Sequence, residues 1–501
     1  MALTVLPHRD ELGIKAGRCY IDGEWVDGSG EVWTHHHPAT GEAVSEFAIA
    51  TAGDVDRAVQ AARRAFDEGG WTGMNARDRS RLLQAIARLV SEHTDELNRI
   101  QTLDNGMPQA FCAVYQMGAG IASDCFDYHA GWVDKIRGAT LPTYTGSPFV
   151  TMTLKEPVGV VGAVIPWNAP LMLFAQKVAP ALAAGCTVVL KPSEHATQVV
   201  LRLVTLMEEA GLPAGVLNVV CGPGDPTGEA LITHPGVDKL TFTGSRTVGK
   251  RVMAAAAGGV KRVSLELGGK SPNIVFADAD IATAAASVMG MVSMGLSGQG
   301  CACHTRALIE ESIYDEVVSE AADMAVHTVY GDPFDLATTS AALITPLQAE
   351  RVCGFIEAGQ EEGARLVVGG DRPAGDLAAG NFVNPTLFAD VDNHMTIATE
   401  EIFGPVVAAI PFRDEEHAIA LANDTTFGLA GSVHTNDVRR ALRVAKAVRA
   451  GTFGINGYTV VPSAPFGGMA QSGLGREGGS EGLEAFLETK TVTIALTNNP
   501  L

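Results

Sequence analysis

Basic residues are scarce in this chain of 501 residues, and so are charged and aromatic residues. Lys and Arg total 36 against 57 Asp and Glu, which gives a formal net charge of −21. Such a chain repels phosphate backbones and anionic lipids, so we expect neither nucleic acid nor membrane as a partner. Charged residues make up 19% and aromatic residues 6%, whereas hydrophobic residues reach 46%. This composition excludes intrinsic disorder and predicts a globular chain of about three structural units.

Long apolar runs and a disulfide framework are also missing. The apolar stretch Val178 to Leu190 is shorter than the ~18 residues of a membrane-spanning helix and contains Pro180 and Gly185. Residues 1–15 include charged side chains where a signal peptide has an apolar segment. The eight cysteines follow no framework spacing, which favours free thiols in a reducing compartment. We therefore expect a cytoplasmic protein.

Two clusters have residue types that bind metals. Cys301 and Cys303 form a C-x-C pair, which can be metal-binding or redox-active, but no other Cys or His set stands at zinc-site spacing. The three histidines of residues 35–37 are neighbours one apart and cannot easily converge on one ion. We predict a solvated loop at these histidines and no metal site in the protein.

Short β-branched runs alternate with helical stretches between residues 156 and 267. The predicted strands are Gly159 to Ile165, Cys186 to Lys191, Val216 to Val220, Lys239 to Thr243 and Arg262 to Glu266. The predicted helices between them are Leu171 to Ala184, Ala196 to Ala210, Pro226 to Thr233 and Ser245 to Ala257. This alternation predicts a doubly wound parallel sheet that binds ligands at the carboxyl ends of its strands. Residues 54 to 103 are expected to form helices packed outside that core.

A second alternating pattern begins after Gly268 and predicts a second α/β domain. Its strands are Asn273 to Phe276, Arg306 to Ile309 and Val406 to Pro411, and its helices are Asp280 to Ser293 and Ser312 to Tyr330. Before the first strand, residues 139–154 resemble a protruding hairpin with its turn at Gly146 and Ser147. Its exposed edges need pairing, so we expect an intersubunit contact there.

Cys301 and Glu266 are the first candidates for chemistry. Cys301 follows Gly298 and Gly300, which give a thiol an uncrowded approach. Taken alone this is weak evidence, because most cysteines are small buried apolar residues. Glu266 ends a predicted strand, where the active sites of open α/β folds gather. A structural ion pair is the alternative for Glu266.

Seven segments, in order along the chain, resemble the motifs of the aldehyde dehydrogenase superfamily. They are Val164 to Asn168 (VIPWN), Gly185 to Glu194 (GCTVVLKPSE), Phe242 to Ser245 (FTGS), Leu265 to Pro272 (LELGGKSP), Gly298 to Cys301 (GQGC), Glu401 to Pro405 (EIFGP), and Pro465 to Gly468 (PFGG) followed by Ser472 to Glu477 (SGLGRE). Any one segment could be chance, whereas seven in order identify the chain as a member of the superfamily.

The resemblance implies the domain organisation. A Rossmann-like NAD-binding domain would comprise residues 1–137 and 157–267, and an α/β catalytic domain residues 268–470. Residues 138–156 and 485–501 would form a small β oligomerisation element, in which residues 491–495 add as a strand to a neighbour's sheet. The implied assembly is a homotetramer built from two dimers.

The resemblance also implies the chemistry. Cys301 would attack the aldehyde to give a thiohemiacetal, which passes hydride to NAD and becomes a thioester. Glu266 matches the general base that activates the hydrolytic water and can also deprotonate the thiol. Asn168 matches the side-chain donor to the oxyanion, together with the backbone N–H of Cys301. Because a free thiol titrates near ~8.5, the site must favour the thiolate or supply a base.

The implied cofactor ligands lie in the same motifs. They are Ile165, Pro166, Trp167, Lys191, Ser193, Glu194, Gly224, Gly228, Phe242, Thr243, Gly244, Ser245, Val248, Leu267, Gly268, Glu401 and Phe403. Gly244 and Ser245 open a predicted helix whose N-terminus can bind a pyrophosphate. Glu194 would accept from a ribose 2′-hydroxyl and repel a 2′-phosphate, which favours NAD over NADP. For Gly224, Gly228 and Val248, turn and core roles fit as well as direct contact.

Substrate-side residues depart from the best-known relatives. Ala169 replaces a frequent aromatic residue and Gln176 a common Trp, so the tunnel should be wider. Few aromatic residues argue against a quaternary ammonium substrate and favour a medium to large aliphatic, terpenoid or aromatic aldehyde. One alternative is a coenzyme A-acylating enzyme, whose members characteristically lack the carboxylate at Glu266. A non-catalytic structural protein of the same fold is the other alternative, against which the retained Cys301, Glu266 and Asn168 argue.

Overall fold

The computed structural model of the chain describes residues 3–114, 117–143 and 149–496. Its helices are α1 (Leu6–Glu11), α2 (Ala52–Asp67), α3 (Ala76–Glu92), α4 (Thr94–Asn105), α5 (Gln109–Val114), α6 (Ala119–Ala130), α7 (Pro170–Ala184), α8 (Gln198–Glu209), α9 (Glu229–Thr233), α10 (Arg246–Ala257), α11 (Ile281–Ser293), α12 (Tyr314–Ala325), α13 (Pro346–Glu361), α14 (Thr396–Thr399), α15 (Glu415–Asn423), α16 (Val438–Ala447) and α17 (Gly479–Glu484).

Strands fill most of the intervals between these helices. They are β1 (Cys19–Ile21), β2 (Glu24–Val26), β3 (Val32–His36), β4 (Ala43–Ala48), β5 (Thr140–Leu141), β6 (Phe149–Pro157), β7 (Val160–Val164), β8 (Thr187–Lys191), β9 (Leu217–Val219), β10 (Lys239–Thr243), β11 (Arg262–Glu266), β12 (Pro272–Val275), β13 (Arg306–Glu310), β14 (Arg365–Val368), β15 (Thr386–Ala389), β16 (Val406–Phe412), β17 (Ser432–His434), β18 (Gly454–Ile455), β19 (Gly473–Leu474) and β20 (Leu487–Ala495).

The larger sheet has the strand order β19-β11-β10-β7-β8-β9-β1-β2. Its five central strands, β11 to β9 in this order, are parallel, and the short strands β19, β1 and β2 close its edges in antiparallel pairs. Since parallel neighbours require crossovers, α7 to α10 connect them and cover the sheet together with α2. The prediction of a doubly wound parallel sheet is confirmed, and β10 and β11 have the predicted bounds.

The smaller sheet has the order β14-β15-β16-β13-β12-β17-β18 and is parallel except for β14. Side chains alternate between its two covered faces. On β13, Leu308 packs in the apolar cluster with α13, α15 and α16, whereas Ala307 and Ile309 pack with α11 and α12. The predicted second α/β unit is therefore present.

One predicted helix ends earlier than expected. The pattern extends it from Ser312 to Tyr330, whereas α12 ends at Ala325. The reason is a competing backbone pairing, in which the Val329 carbonyl accepts from the N–H of Thr339 at 3.0 Å and the Val329 N–H donates to the Thr339 hydroxyl at 2.9 Å.

The prediction of a solvated loop at residues 35–37 is wrong. His35 lies on the buried face of β3 and is 2% exposed. Its Nε2 lies 2.7 Å from the backbone carbonyl of Asp104. His37 is 1% exposed, whereas His36 between them is exposed. β3 buries His35, and His37 is buried directly after the strand ends. Burial lowers the pKa of His35 to about 3 and that of His37 to about 4.

A third, antiparallel sheet has the order β20-β6-β5. It contains the predicted hairpin strands, although the predicted turn at Gly146 and Ser147 lies outside the described residues. β20 pairs with β6 of its own chain over their full lengths, from Leu487 opposite Pro157 to Ala495 opposite Phe149. Among the helices of the described residues, none combines the length and hydropathy that a bilayer-spanning segment needs.

Candidate active site

The carboxyl ends of four adjacent strands meet at one edge of the larger sheet. β7, β8, β10 and β11 end at Val164, Lys191, Thr243 and Glu266. Because the strands are parallel and neighbouring, most of the predicted ligands that follow these ends lie along this edge. Residues from the second half of the chain contact this edge at Asn168 and Trp167, as described below.

A glycine and a glutamine shape the loop that carries Cys301. Gly298 has φ of +72°, and a Cβ there would lie 2.2 Å from the carbonyl oxygen of Gly404, so a side chain does not fit. Gln299 is fully buried; its Nε2 donates to the Leu296 carbonyl at 2.8 Å, and its Oε1 accepts from the Ile344 N–H at 2.9 Å. These contacts hold the Cys301 backbone while the residue stays partly exposed.

The Cys301 thiol lies in surroundings that disfavour its charge. Burial raises its pKa, and the carboxyl groups of Glu401 and Glu266 raise it further. The sequence left two possibilities, a site that favours the thiolate and a site that supplies a base. Because the pKa of the thiol is raised, the site does not stabilise the resting thiolate. A base must take the proton when the thiol reacts.

Glu266 has the properties of that base. Its side chain is 2% exposed, and neither carboxyl oxygen has a hydrogen-bond partner among the described residues. Burial raises its pKa well above the ordinary range, and the negative charge of Glu477 adds to this effect. A Cβ on Gly467 would lie 2.6 Å from Oε1 of Glu266, so glycine at 467 leaves room for the carboxyl group.

A buried ion pair next to Glu266 was not predicted. Glu477 pairs with Lys177 of α7, whose side chain is completely buried and whose Nζ also donates to the Thr241 hydroxyl at 3.2 Å. The charge of Lys177 opposes the rise in the pKa of Glu266. Glu477 belongs to a quoted motif, and Lys177 is the lone charged residue in an apolar helix. That isolated charge was the signal available in the sequence.

Asn168 connects the two halves of the site. Its side chain is 8% exposed, and its Nδ2 donates to the backbone carbonyl of Gln299 at 3.1 Å, two residues before the nucleophile candidate. An amide nitrogen has two hydrogens, so a second donor remains for another acceptor. The structure thus brings Cys301, Glu266 and Asn168 to one place.

Lys191 and Glu194 form the next part of the edge. Nζ of Lys191 donates to the carbonyls of Pro192 at 2.9 Å and Gly222 at 2.8 Å, and lies 3.7 Å from Glu194 Oε2. The Glu194 side chain keeps 19% of its surface exposed, so its carboxylate can accept from a ligand hydroxyl. This pair offers the donor and acceptor that a ribose diol needs.

The N-terminus of α10 follows directly after β10. Ser245 caps it through a hydrogen bond to its hydroxyl from the Val248 N–H at 3.3 Å, and Val248 is 44% exposed. Gly244 donates its N–H to the Glu266 carbonyl at 3.0 Å. The Thr243 hydroxyl beside them is buried without a partner among the described residues. Free N–H groups of a helix start and an orphaned hydroxyl fit a phosphate-containing ligand.

Glu401 and Phe403 lie against the same loops. Oε1 of Glu401 accepts from the Gly269 N–H at 3.3 Å, and burial raises the pKa of Glu401 to about 7. A Cβ on Gly268 would overlap the Glu401 carboxyl group. The rings of Phe403 and Trp167 meet edge to face with centroids 5.6 Å apart. Trp167 and Gly268 thus contact Phe403 and Glu401 directly.

Other predicted cofactor ligands have mainly structural contacts. Ile165, Phe242 and Leu267 belong to the main apolar core, and their side chains are 1%, 6% and 5% exposed. The Ser193 hydroxyl is used locally, accepting from the His195 N–H at 3.3 Å. The remaining ones are Pro166, which is partly exposed, and Gly224 and Gly228, which bound an irregular turn after β9.

Tyr458 and the second cysteine complete the surroundings of the thiol. Burial raises the pKa of Tyr458, and so does its proximity to Cys301, Cys303 and Glu266; its hydroxyl lies 2.9 Å from that of Thr452. Sequence reasoning missed Tyr458, because it lies 157 positions away from Cys301 in the chain. All eight cysteines are free, and within the described residues no three His, Cys, Asp or Glu side chains are arranged to hold a metal ion.

The family, relatives and solved structure that resemble this chain over nearly its whole length are named as dehydrogenases. The sequence matches the aldehyde dehydrogenase family over residues 25–492. The putative aldehyde dehydrogenase DhaS of Bacillus subtilis is 44% identical over 484 residues, 96% of each chain. Retinal dehydrogenase 2 of Homo sapiens is 44% identical over 99% of this chain and 95% of its own. The crystal structure of betaine aldehyde dehydrogenase from Staphylococcus aureus in complex with NAD+ has a TM-score of 0.96 at 37% identity, covering 99% of this chain and 98% of that one.

Proposed function

Because the chain belongs to the aldehyde dehydrogenase family and is an NAD-dependent aldehyde-oxidising enzyme, we propose that Cys301, Glu266 and Asn168 carry its chemistry and that water accepts the acyl group. One observation supports this most directly. Glu266 is a buried carboxyl group without a hydrogen-bond partner in the described part of the chain, and it is close enough to Cys301 to raise the pKa of that thiol.

In the first half of the reaction, Glu266 takes the proton of the Cys301 thiol as its sulfur adds to the aldehyde carbon. The carbonyl oxygen becomes an oxyanion, which accepts hydrogen bonds from the Asn168 amide and the Cys301 N–H. In other enzymes such a donor contributes on the order of 3 kcal/mol. The bond from Asn168 to Gln299 orients that amide before substrate arrives.

The cofactor is assigned to the proposed domain of residues 1–137 and 157–267, with Glu401 and Phe403 contributed by the proposed catalytic domain, residues 268–470. Lys191 and Glu194 would hold a ribose, and the N-terminus of α10 after Gly244 the pyrophosphate. When bound, NAD accepts the hydride that leaves the thiohemiacetal carbon, which turns the adduct into a thioester. The Glu194 carboxylate favours NAD over NADP by repelling a 2′-phosphate.

Before the second half, Glu266 releases the thiol proton to solvent. It then takes a proton from the water that attacks the thioester and passes that proton to the Cys301 sulfur as the carboxylic acid leaves. Coenzyme A-acylating relatives characteristically lack the carboxylate at this position. The buried carboxyl group at Glu266 therefore favours hydrolysis.

The substrate is proposed to be a medium to large aliphatic, terpenoid or aromatic aldehyde. Relatives are named for aldehydes as different as retinal and betaine aldehyde, so their names do not decide it. Ala169 and Gln176, at 1% and 3% exposure on the segment after Asn168, contribute no aromatic face. A quaternary ammonium group requires several such faces.

The assembly is proposed to be a homotetramer in a reducing compartment, the cytoplasm. The sheet β20-β6-β5 exposes Leu141, Leu154 and Ile494 by 41%, 41% and 44%, which supports burial against a second copy. Eight free thiols suit a reducing environment.

The test is NADH formation and product identity over a graded panel of aldehydes, with NAD and NADP compared and coenzyme A present or absent. We expect free acid as the product, NAD preferred, and kcat/KM rising with the size of the apolar group. Acyl-CoA exceeding free acid would reverse the choice of acceptor, and a preference for betaine aldehyde would overturn the substrate class.

A further inference from the structure

Asn105 is a buried polar residue that the motifs leave unassigned. It is the last residue of α4, which Gly106 terminates with φ of +75° while donating its N–H to the Thr102 carbonyl at 2.9 Å. The Asn105 side chain is 1% exposed. A buried amide of this kind needs partners for both of its ends.

The Asn105 amide has partners in two separate segments. Its Nδ2 donates to the backbone carbonyls of Trp167 at 2.9 Å and Asn168 at 3.4 Å, and its Oδ1 accepts from the Met107 N–H at 3.0 Å. If the nitrogen and oxygen of the Asn105 amide were exchanged, its oxygen would face the carbonyl oxygens of Trp167 and Asn168. Its NH2 group would then face the Met107 N–H, and neither contact would be a hydrogen bond. The amide therefore has one orientation that satisfies all three contacts.

The segment it contacts carries the proposed oxyanion donor. Residues 165–169 are irregular, between the end of β7 and the start of α7, so no helix or strand ladder fixes the carbonyls of Trp167 and Asn168. A buried carbonyl left without a donor destabilises the fold. Asn105 supplies the donor for both carbonyls. Holding the Asn168 backbone in this way sets the direction of its side chain toward Gln299.

We infer that Asn105 is a positioning residue for aldehyde oxidation, which holds the Asn168 backbone so that the Asn168 amide faces the oxyanion beside Cys301. The inference rests on the proposed role of Asn168. The hydrogen bonds of Asn105 within the described part of the chain go to Trp167, Asn168 and Met107 and not to Cys301 or Gln299, so it acts through Asn168. Misplacement of a catalytic group by about 1 Å can lower a rate on the order of a hundredfold.

The test is a double-variant cycle of Asn105→Asp and Asn168→Ala. Asn105→Asp keeps the shape and the acceptor for Met107, but it turns a second oxygen toward the two carbonyls. We expect kcat to fall by about 10- to 100-fold while the KM for NAD changes less than about twofold. In the double variant, kcat should be less than about threefold below that of Asn168→Ala alone, because the amide that Asn105 positions is already absent.

Asn98→Ala is the matched control. Asn98 is also a buried residue of α4, 6% exposed, but its Oδ1 accepts from the Ala119 N–H at 2.8 Å and not from residues 165–169. It should lower Tm while kcat stays at the wild-type value. If Asn105→Asp does not fold, Asn105→Ser, which keeps one donor, enters the same cycle.

Two results would overturn the inference. One is a wild-type kcat in the Asn105 variant, and the other is a double variant whose fold-loss in kcat equals the product of the fold-losses in the two single variants. Wild type and Asn98→Ala measured in the same assay show separately whether the protein oxidises aldehydes at all. A wild type without turnover would contradict the proposed function, whereas an active wild type with an unaffected Asn105 variant contradicts only this inference.

Discussion

A carboxyl group buried beside a like charge keeps its proton to higher pH, and Glu266 is in this situation next to Glu477. A base that must lose a proton before it can accept one gives a rate that rises with pH through its own pKa. The acid limb of kcat should therefore lie above the ordinary range of a glutamate. Burial also raises the pKa of the Cys301 thiol, so the thiol is protonated at rest.

Glu477→Gln should move that acid limb to lower pH by about one unit, because it removes a negative charge and leaves that of Lys177 uncompensated. The measurement is kcat against pH at a temperature where the variant is folded, since breaking a buried pair costs about 3–5 kcal/mol. Glu484→Gln is the control, since it breaks an exposed pair with Lys155 in which the Glu484 side chain is 56% exposed. An unmoved limb in Glu477→Gln would contradict the account of Glu266.

Sequence reasoning finds residues whose chemistry stands in a contiguous motif, such as Cys301 after two glycines or Glu266 at the end of a strand. It does not find Lys177, Asn105 or Tyr458, because each acts through a contact with a residue distant in the chain. The histidines at 35 and 37 were misjudged for another reason. The segment around them, β3 and the residue after it, has too few apolar residues to show which side chains are buried.

At the level of elements, the strands of the larger sheet were predictable because fully buried parallel strands are continuous β-branched runs. The start of α2 was less so: the helix begins at Ala52 rather than Asp54, since Thr51 and Asp54 form a capping box. Asp54 is 1% exposed, and it accepts from the N–H groups of Thr51 at 2.8 Å and Ser29 at 2.9 Å. It thus joins the helix to the loop before β3.

Asp54→Ala should lower the free energy of unfolding by about 2–4 kcal/mol, because the donors of Thr51, Ser29 and Arg57 all lose the same acceptor. Burial alone would raise the pKa of Asp54, but the hydrogen bonds from Thr51 and Ser29 lower it overall. The stabilisation is therefore present above about pH 4 and is lost as the pH falls through the lowered value. Urea titration at pH 7 checks this, with Asp67→Ala of the same helix, 58% exposed, as the control expected to change little. Equal losses in both variants would refute it.

At the level of the whole molecule, the three sheets have different roles: the larger and smaller sheets carry the proposed active site, and the sheet β20-β6-β5 presents an exposed apolar surface. The larger sheet and the smaller sheet contribute to one site through Asn168 and the Cys301 loop. The described residues of the sheet β20-β6-β5 include none of the site residues named above, and several of its apolar side chains are exposed. Sequence alone predicted this hairpin but not its pairing with β20, because the two strands are more than 300 residues apart.

Leu154→Glu combined with Ile494→Glu should reduce the mass in solution from that of a tetramer to a dimer or monomer, because charges would be buried in the proposed interface. Light scattering after gel filtration measures it, with circular dichroism as the check of folding. Leu347→Glu, at a residue of α13 that is 74% exposed, is the matched control and should leave the mass unchanged. A wild-type monomer, or a double variant that keeps the tetramer, would contradict the proposed assembly.

The central claim is that Cys301 forms the acyl-enzyme and Glu266 activates the water that resolves it. Rapid mixing of Glu266→Gln with NAD and aldehyde, at a pH that promotes thiolate formation, tests it most directly. The account predicts a burst of about one NADH per active site, followed by turnover reduced on the order of a hundredfold or more, and an acyl group on Cys301 by mass spectrometry. Cys301→Ala should give no burst. Sustained turnover at the wild-type rate in Glu266→Gln, or a burst in Cys301→Ala, would contradict the account.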